Sequence, residues 1–539
     1  MSSTTAPVAV DGPPLGTGER VRAVPWARVL LLVGVLAVAG LALWARLAAV
    51  GRGSGAGVMT QGYDDGVYFS AAEALAFGRM PYRDFVLVHP PGIVVAALPF
   101  GWVARLTDDP TGMAAARVAW AFVGAANAAL VTVTARRSGL VAAVTAGALY
   151  AVWPPVVRYE TSTYLEALGT LAVLGCLALL PARSVRTRPR LQVVAGLALG
   201  LAPAVKIWGV VPAVVVLGWV LLTLGARPFV RVLAGAAASA TLVCLPFFVQ
   251  APGAMWRMVV TDQLGRGSTS EGTVERLQRI AALDVIGGVP DQTLRTVTSG
   301  GVVALCVVLV AAVLACTRRE DLLGVALTAA CLLVLVLSPS FFDHYTPLVA
   351  PYAALVLAAA LGALTRWRPA VPTVVAAGAV ATCWMWTASS TLTTGRPFPA
   401  AELRPALAGA RCVTADSPKA LVALDVLGRD LRNGCRVAID VSGATYDAAA
   451  LPLLPDGTAV ARSQNPRWQS YLMDYLGTGD ATLLVRGTAD DLSPASRELF
   501  RSWPTLVSRG GYRVRAPRAA SSADPAAERS RRTSASISS

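Results

Sequence analysis

The chain has 539 residues, of which 55% are hydrophobic and only 15% are charged. Soluble domains carry about a quarter charged residues, so this composition excludes an ordinary soluble protein and indicates an integral membrane protein. The formal net charge is +15. Because the basic residues lie in short groups between apolar segments and not in one patch, they exclude a nucleic-acid-binding protein and are typical of membrane orientation signals.

Apolar segments long enough to form membrane-spanning helices recur along most of the chain. Residues 1–25 are polar, and we predict that they are cytoplasmic and disordered; no cleavable signal peptide is evident. The sequence then predicts about eleven membrane spans. They lie at residues 26–49, 113–135, 139–155, 161–181, 191–205, 208–224, 231–250, 299–316, 321–338, 345–364 and 370–388.

The arginines decide where one further apolar segment, residues 92–106, is placed. Counting it as a span would put most of the arginines between spans on the outside, against the positive-inside rule. We therefore predict that it lies along the outer membrane interface or dips into it. With a cytoplasmic N-terminus, loops 50–112 and 251–298 and everything after residue 389 are then outside the cell membrane. Membrane residues 26–390 form one predicted domain.

The C-terminal region, residues 391–516, is predicted to be an extracytoplasmic α/β domain. Strand patterns at 411–415, 436–441 and 482–486 alternate with helix patterns at 417–431, 466–476 and 494–503, which indicates a small open sheet. Cys412 and Cys435 lie in this polar region, where a disulfide forms if the exterior is oxidising; free thiols are the alternative. Residues 517–539, rich in Ser, Ala and Arg, are predicted to be disordered.

An acidic pair, Asp64-Asp65, lies in the first outer loop, just beyond the first span. Adjacent carboxylates can hold a metal ion or act as a general base. Two like charges side by side also raise one of the two pKa values, which suits a base. The alternative is a solvated acidic turn that caps the following helix.

Lys206 lies between two predicted spans with almost no connecting loop, and it is one of only two lysines, the other being Lys419. A charge at the bilayer centre costs about 2.5–3.5 kcal/mol. Near the outer boundary the ammonium can extend into water, which is the structural interpretation. It can equally hold a phosphate as a point charge, which is the functional one.

The two histidines of the chain, His89 and His344, both fall on the predicted outer face, beside Asp84 and Asp343. A histidine there can serve binding or catalysis, or it can be purely structural. Further ionisable candidates stand near the outer ends of spans: Arg46, Arg117, Arg158, Glu160 and Glu166. Ionisable residues are scarce at mid-bilayer, where a transporter would place its binding site.

The order of these features resembles the GT-C glycosyltransferases, integral membrane enzymes that use a polyprenyl-phosphate sugar. The protein O-mannosyltransferases and the aminoarabinose transferases that modify lipid A are similar. The resemblance covers residues 26–390 and does not extend to the C-terminal region. It rests on Asp64-Asp65-Gly66-Val67-Tyr68, Tyr82-Arg83-Asp84-Phe85, His89-Pro90-Pro91, Lys206 before Gly209 and Pro212, and Asp343-His344-Tyr345.

The resemblance implies a GT-C-like fold with two helices of the first outer loop lying on the membrane. It implies that Asp64 is the catalytic carboxylate, with Asp65 beside it as a second catalytic residue or a ligand of a divalent metal ion. His89 stands where the lipid A enzymes have a lysine. The expected substrate-binding residues are Lys206, His89, Asp84, Arg158, Glu160, His344 and Tyr345.

We therefore expect an extracytoplasmic, inverting glycosyltransferase with Asp64 as general base. It would move a sugar from a polyprenyl-phosphate donor to a glycan, lipid or protein of the cell envelope, with membrane lipids around it. The alternatives are a flippase or transporter of lipid-linked sugars, and a non-catalytic membrane protein of envelope assembly.

Overall fold

A computed structural model describes most of the chain. The described residues are 26–52, 62–180, 188–267, 272–281, 310–311, 321–365, 378, 380–381, 383, 398–447, 460–486 and 491–517. The predicted spans 299–316 and 370–388 fall almost wholly outside them, as do residues 1–25 and nearly all of 517–539.

The membrane part is helical. Its first helices are α1 (Trp26–Arg52), α2 (Tyr63–Ala76), α3 (Gly92–Leu106), α4 (Asp109–Ala135), α5 (Leu140–Val152), α6 (Pro154–Tyr159), α7 (Leu165–Leu179), α8 (Pro189–Val205), α9 (Val210–Leu224) and α10 (Ala226–Phe248). They are followed by α11 (Pro252–Trp256), a π-helical turn (Arg257–Thr261), α12 (Asp262–Leu264), α13 (Thr273–Ile280), α14 (Leu322–Leu337) and α15 (Ala350–Leu364). Short 3-10 turns lie at Arg136–Ser138, Ile207–Gly209 and Asp343–Leu348.

Length and hydropathy separate these helices into two groups. Among the described residues, the segments long and apolar enough to cross a membrane are Trp26–Val50, Asp109–Ser138, Ile207–Leu224 and Ala226–Phe248. The shorter apolar helices are α3, α5, α7, α8, α14 and α15. The chain is thus a membrane protein with several apolar helices, and the count of about eleven spans stays a prediction.

The first outer loop folds as two helices, α2 and α3. Gly62 is the N-cap of α2, and Asp64 and Asp65 stand in its first turn, where negative charge is favoured by the helix dipole. Nearly all of α2 is buried, because α3, α4 and the C-terminal region surround it. Asp108 caps α4 by accepting a hydrogen bond from the Thr111 amide at 2.8 Å.

The C-terminal region contains a four-stranded sheet with the order β1-β2-β4-β3. Its strands are β1 (Val413–Ala415), β2 (Ala481–Leu483), β3 (Thr505–Arg509) and β4 (Tyr512–Arg515). Strands β1 and β2 are parallel, whereas β4 is antiparallel to β2 and β3. The helices of this region are α16 (Ala400–Leu403), α17 (Pro418–Ala423), α18 (Leu427–Arg432), α19 (Ala444–Asp447), α20 (Pro466–Gly477) and α21 (Pro494–Ser502), with 3-10 turns at Arg404–Leu407 and Arg462–Gln464.

Two elements of this region differ from the sequence prediction. Residues 436–441 form no strand, so the prediction of a strand there is wrong; this segment leads instead into the turn at Asp440–Gly443, where the Gly443 amide donates to Asp440. The predicted helix 417–431 is split into α17 and α18. The break is at Asp425, whose φ of 57° is left-handed and whose carboxylate accepts a hydrogen bond from the Asp109 amide at 3.0 Å.

One hydrophobic core joins the C-terminal region to the first outer loop. It contains residues of α2, α3 and α4 together with residues of β1, α17 and β2. A smaller core around Trp468 and Tyr475 belongs to the C-terminal region alone. Because the larger core is shared, the C-terminal region packs directly against the loop that carries the acidic pair.

Candidate active site

The two carboxylates of the acidic pair point in different directions. Successive residues of an α-helix are separated by about 100° around the axis, so neighbours in the first turn of α2 cannot face the same surroundings. Asp65 is fully buried, whereas the side chain of Asp64 is 33% exposed. The structure therefore separates the roles of two residues that the sequence treats as one motif.

Asp65 is held by groups from three distant parts of the chain. Arg117 Nη2 of α4 donates to its carboxylate at 2.5 Å, Thr163 Oγ1 donates at 2.8 Å, and Lys419 Nζ of α17 lies 3.4 Å away. Burial alone would raise the pKa of Asp65, but the charges of Arg117 and Lys419 hold it below the ordinary value. The expectation of a catalytic role for Asp65 is corrected here, because its carboxylate is ionised, inaccessible and fully engaged.

A metal ion at Asp65 does not fit this arrangement either. Its oxygens already contact a guanidinium, an ammonium and a hydroxyl, and a divalent cation would have to displace two positive charges. Within the ranges that the structure describes, no group of three His, Cys, Asp or Glu side chains could hold an ion. We therefore derive no step through a metal.

Lys419 also anchors the start of α2. Its ammonium donates to the Gly62 carbonyl at 2.8 Å, and its residue is only 2% exposed. A Cβ on Gly66 would lie 2.5 Å from the Lys419 Cβ, so only glycine allows this close approach. Burial lowers the pKa of Lys419 to about 8, although the charge of Asp65 opposes that shift.

Asp64 is the accessible carboxylate of the site. Its Oδ2 lies 3.5 Å from Nε2 of His344. The surrounding protein desolvates the carboxylate and raises the pKa of Asp64, while the charges of Arg266, Lys206 and other cations limit the rise. A carboxylate with a raised pKa is a stronger base, which suits the removal of a proton from a hydroxyl.

His344 is packed among aromatic rings. Tyr164 and Phe342 lie 5.2 and 5.6 Å away between ring centroids, and Tyr159 lies at 6.1 Å. Burial, with the nearby charges of Lys206 and Arg266, lowers the pKa of His344 well below its ordinary value. The imidazole is therefore neutral, and its contact with Asp64 orients the carboxylate without an ion pair.

Lys206 ends α8 and turns toward the site. Its extended backbone (φ −145°, ψ 132°) stops the helix, and its ammonium contacts the Glu166 carboxylate. The ammonium also lies 3.7 Å from the centroid of the Tyr345 ring. Both expected residues, Lys206 and Tyr345, thus come together, with Glu166 as the partner that makes a charge at this depth tolerable.

Arg266 is a site residue that the sequence analysis missed. Its Nη1 donates to the Tyr345 hydroxyl at 3.2 Å, and its guanidinium lies 4.7 Å from the Tyr446 ring centroid. Its buried Nε has no hydrogen-bond partner among the described residues. Its charge acts on Asp64, His344 and His89 alike. The sequence offered no signal beyond its position in outer loop 251–298.

His89 lies near the same cations but is buried. Its ring meets the edge of Tyr68 at 5.6 Å, and its carbonyl accepts a hydrogen bond from the Tyr82 hydroxyl at 2.6 Å. Burial lowers the pKa of His89 well below its ordinary value, so the ring is neutral. Its Nδ1 lacks a hydrogen-bond partner within the described part of the chain. His89 can therefore contact a phosphate by hydrogen bonding but not by charge.

Three expected residues stand outside this arrangement. Glu160 is fully buried and is bound by Arg46, Asn127 and Tyr150, so the expectation that it binds substrate is wrong. Asp84 closes its own turn, accepting from the Met80 amide at 2.7 Å and from Arg83. Arg158 is exposed, with its guanidinium 5.7 Å from the Tyr159 ring, one ring away from His344.

An apolar cleft begins at Lys206. Its polar end holds Lys206, Glu166 and Tyr345, and the rest of its wall is formed by membrane helices α7, α8, α9, α14 and α15. The residues of that wall include Val173, Ala202, Pro212, Leu335 and Leu348. A cationic end joined to an apolar wall matches the two halves of a lipid phosphate.

Cys412 and Cys435 are joined in a disulfide, with Cα atoms 5.7 Å apart. The bond ties the start of β1 to the turn after α18 and so closes the wall that carries Lys419. Such a bond requires an oxidising compartment, which agrees with an extracytoplasmic C-terminal region.

Comparison with known proteins identifies the fold. Residues 87–339 match the model of glycosyltransferase family 87. The structure is similar to that of ArnT from Cupriavidus metallidurans bound to undecaprenyl phosphate, with a TM-score of 0.57 and 16% identity over 92% of this chain and 98% of that chain. A comparison with curated proteins found no match.

Two structures of the oligosaccharyltransferase from Archaeoglobus fulgidus are similar as well. One is tethered to an acceptor peptide (TM-score 0.52, 12% identity, 86% of this chain and 69% of that chain). The other, AglB, is in complex with an inhibitory peptide and a dolichol phosphate (TM-score 0.50, 12% identity, 85% of this chain and 69% of that chain). The expected resemblance to GT-C membrane glycosyltransferases is therefore confirmed.

Proposed function

We propose that this chain transfers a sugar from a polyprenyl phosphate to an acceptor hydroxyl on the outer side of the cell membrane, with Asp64 as general base. The observation that carries the proposal is the placement of Asp64. A half-buried carboxylate with a raised pKa faces Lys206 and Arg266, at the head of an apolar cleft.

The cleft supports a lipid-linked donor. A polyprenyl chain would lie along the apolar wall between α7, α8, α9, α14 and α15, and its phosphate would meet Lys206 and Arg266. Arg266 suits this role because its Nε is unpaired among the described residues. The similarity to ArnT bound to undecaprenyl phosphate and to AglB with a dolichol phosphate adds support.

The reaction balances without a further reactant. The acceptor oxygen forms a bond to the anomeric carbon, while the bond from that carbon to the phosphate oxygen breaks on the opposite face, which inverts the configuration. The acceptor proton passes to Asp64. The departing lipid phosphate keeps the bonding electron pair, and its charge is stabilised by Lys206 and Arg266.

A transfer assay tests the proposal. The purified full chain in nanodiscs receives a panel of sugars linked to undecaprenyl phosphate, together with envelope acceptors. We expect Asp64→Asn to lower the transfer rate about 10²–10⁴-fold, the usual contribution of a general base. Asp84→Asn is the matched control, because Asp84 is a carboxylate of the same loop engaged only by its own turn.

Binding of undecaprenyl phosphate is measured on the same variants. Arg266→Ala and Lys206→Met should weaken it, whereas Asp64→Asn should leave it nearly unchanged. Full transfer by Asp64→Asn contradicts the assigned base. Movement of the lipid-linked sugar across the bilayer without transfer would favour the flippase.

A further inference from the structure

A wall of polar and aromatic side chains from the C-terminal region faces Asp64. Tyr63, the residue before Asp64, donates its hydroxyl to Asp440 Oδ1 at 3.3 Å and accepts a hydrogen bond from the Ser442 amide at 3.1 Å. Arg486 lies 4.0 Å from the Tyr63 ring centroid and donates to the Ser442 hydroxyl at 2.5 Å. We call this set, with Tyr446, the C-terminal wall.

Electrostatics places the wall beside the base. The charge of Arg486 lowers the pKa of Asp64, and the charge of Asp64 helps to raise the pKa of Asp440 to about 6, after the larger effect of burial. Arg266 connects the two sides, since it contacts the Tyr446 ring and acts on both carboxylates. The wall therefore borders the space from which an acceptor would reach Asp64.

The wall is partly open. Tyr63, Ser442, Tyr446 and Arg486 are all half-buried, so each presents part of its surface, and Asp440 lies behind them at 7% exposure. Asp440 Oδ1 accepts from Tyr63 and from the Gly443 amide. Among the described residues, no hydrogen bond to its other oxygen, Oδ2, is found, so that oxygen is free to accept one from a ligand.

The chemistry of the wall matches a sugar ring. A carboxylate accepts from ligand hydroxyls, and a guanidinium donates to them in a planar fork. Tyrosine rings give flat apolar faces for the C–H surfaces of a pyranose or furanose, with a polar edge for its hydroxyls. Few but well-placed polar groups on an aromatic lining are typical of sites that recognise small polar molecules.

We propose that the C-terminal wall binds the acceptor and that this acceptor is a carbohydrate, whether a free glycan or the glycan of a glycolipid. Asp440 and Arg486 bind its hydroxyls, and Tyr446 packs against a ring. This inference rests on the proposed function and narrows its acceptor from a glycan, lipid or protein to a sugar hydroxyl.

Binding arrays test it without knowledge of the natural donor. The fluorescently labelled full chain in nanodiscs is applied to printed glycans, each displayed with and without a lipid anchor, and to a peptide array rich in Ser and Thr. We expect glycan binding by the native chain and by Asp64→Asn, whose base is not needed for binding. Preference for the anchored form would identify a glycolipid.

Wall variants give the specific readout. Asp440→Asn and Arg486→Ala should each weaken glycan binding on the order of tenfold, as expected for one lost hydrogen bond to a charged group. Asp474→Asn and Arg509→Ala are the matched controls, because these charges are exposed elsewhere in the same region. Both controls should bind like the native chain.

Three outcomes overturn the inference: binding only to peptides, binding to neither array, or equal glycan binding by wall variants and native chain. Binding of undecaprenyl phosphate by the same samples separates this failure from a failure of the proposed function. If the lipid phosphate binds and depends on Arg266, only the wall assignment is lost. If it does not bind, the proposed donor is also lost.

Discussion

Removing the Lys419 ammonium tests whether the C-terminal region holds the catalytic loop in place. Lys419→Met keeps the length and most of the volume of the side chain but deletes its charge and its donors. Two contacts are lost, the hydrogen bond to the Gly62 carbonyl at 2.8 Å and the approach to Asp65 Oδ2 at 3.4 Å. Both lie at the first turn of α2, next to Asp64.

The magnitude follows from what Asp65 retains. Breaking a buried ion pair costs about 3–5 kcal/mol when the remaining charge is left uncompensated. Asp65 still has Arg117 at 2.5 Å and Thr163 at 2.8 Å. We therefore expect a smaller loss, about 1.5–3 kcal/mol, as for one hydrogen bond to a charged group. Arg117→Ala should cost more, because it removes the closer cation.

Unfolding in mixed micelles of dodecyl maltoside and SDS, followed by tryptophan fluorescence, gives the comparison. Arg436→Met is the matched control, since Arg436 pairs with Asp474 at the surface and such pairs contribute about 0–1 kcal/mol. The double variant Asp65→Asn/Lys419→Met should be less destabilised than the sum of its parts, because the lysine then lacks its charged partner. A loss no larger than that of Arg436→Met would refute the reasoning.

Three further predictions concern charge, redox state and topology. Lys419 lowers the pKa of Asp64, so Lys419→Met should raise that pKa and shift the acidic limb of the pH–rate profile to higher pH; an unchanged limb would contradict the coupling. Replacing both Cys412 and Cys435 with alanine should lower stability by about 3 kcal/mol, from loop closure over a separation of 23 residues, and should abolish the effect of reductant on unfolding. In a chain without other cysteines, Ser502→Cys on the exposed face of α21 should react with a membrane-impermeant maleimide on intact cells; labelling only after permeabilisation would reverse the predicted orientation.

Local properties of the sequence determined the class of protein and the first member of its site. Hydropathy and the arginine distribution depend only on neighbouring residues, and they indicated a membrane protein with a first outer loop that carries Asp64. Helix α20 was predicted with nearly its observed bounds, because Asn465-Pro466 is a strong start signal and its apolar residues are regularly spaced. The hairpin of β3 and β4 was missed although Gly510-Gly511, with φ of 56° and 88°, is a turn signal.

Tertiary structure decided which charges meet. The sequence places Asp64 and Asp65 side by side, but only the packing around α2 buries one and leaves the other open. Lys419 bonds to Gly62 across a separation of 357 residues, and Arg266 reaches Tyr345 from another loop. Such contacts depend on how whole helices pack, and no local spacing encodes them. For the same reason Glu160, which looks like a site residue in the sequence, is the buried partner of Arg46 in the fold.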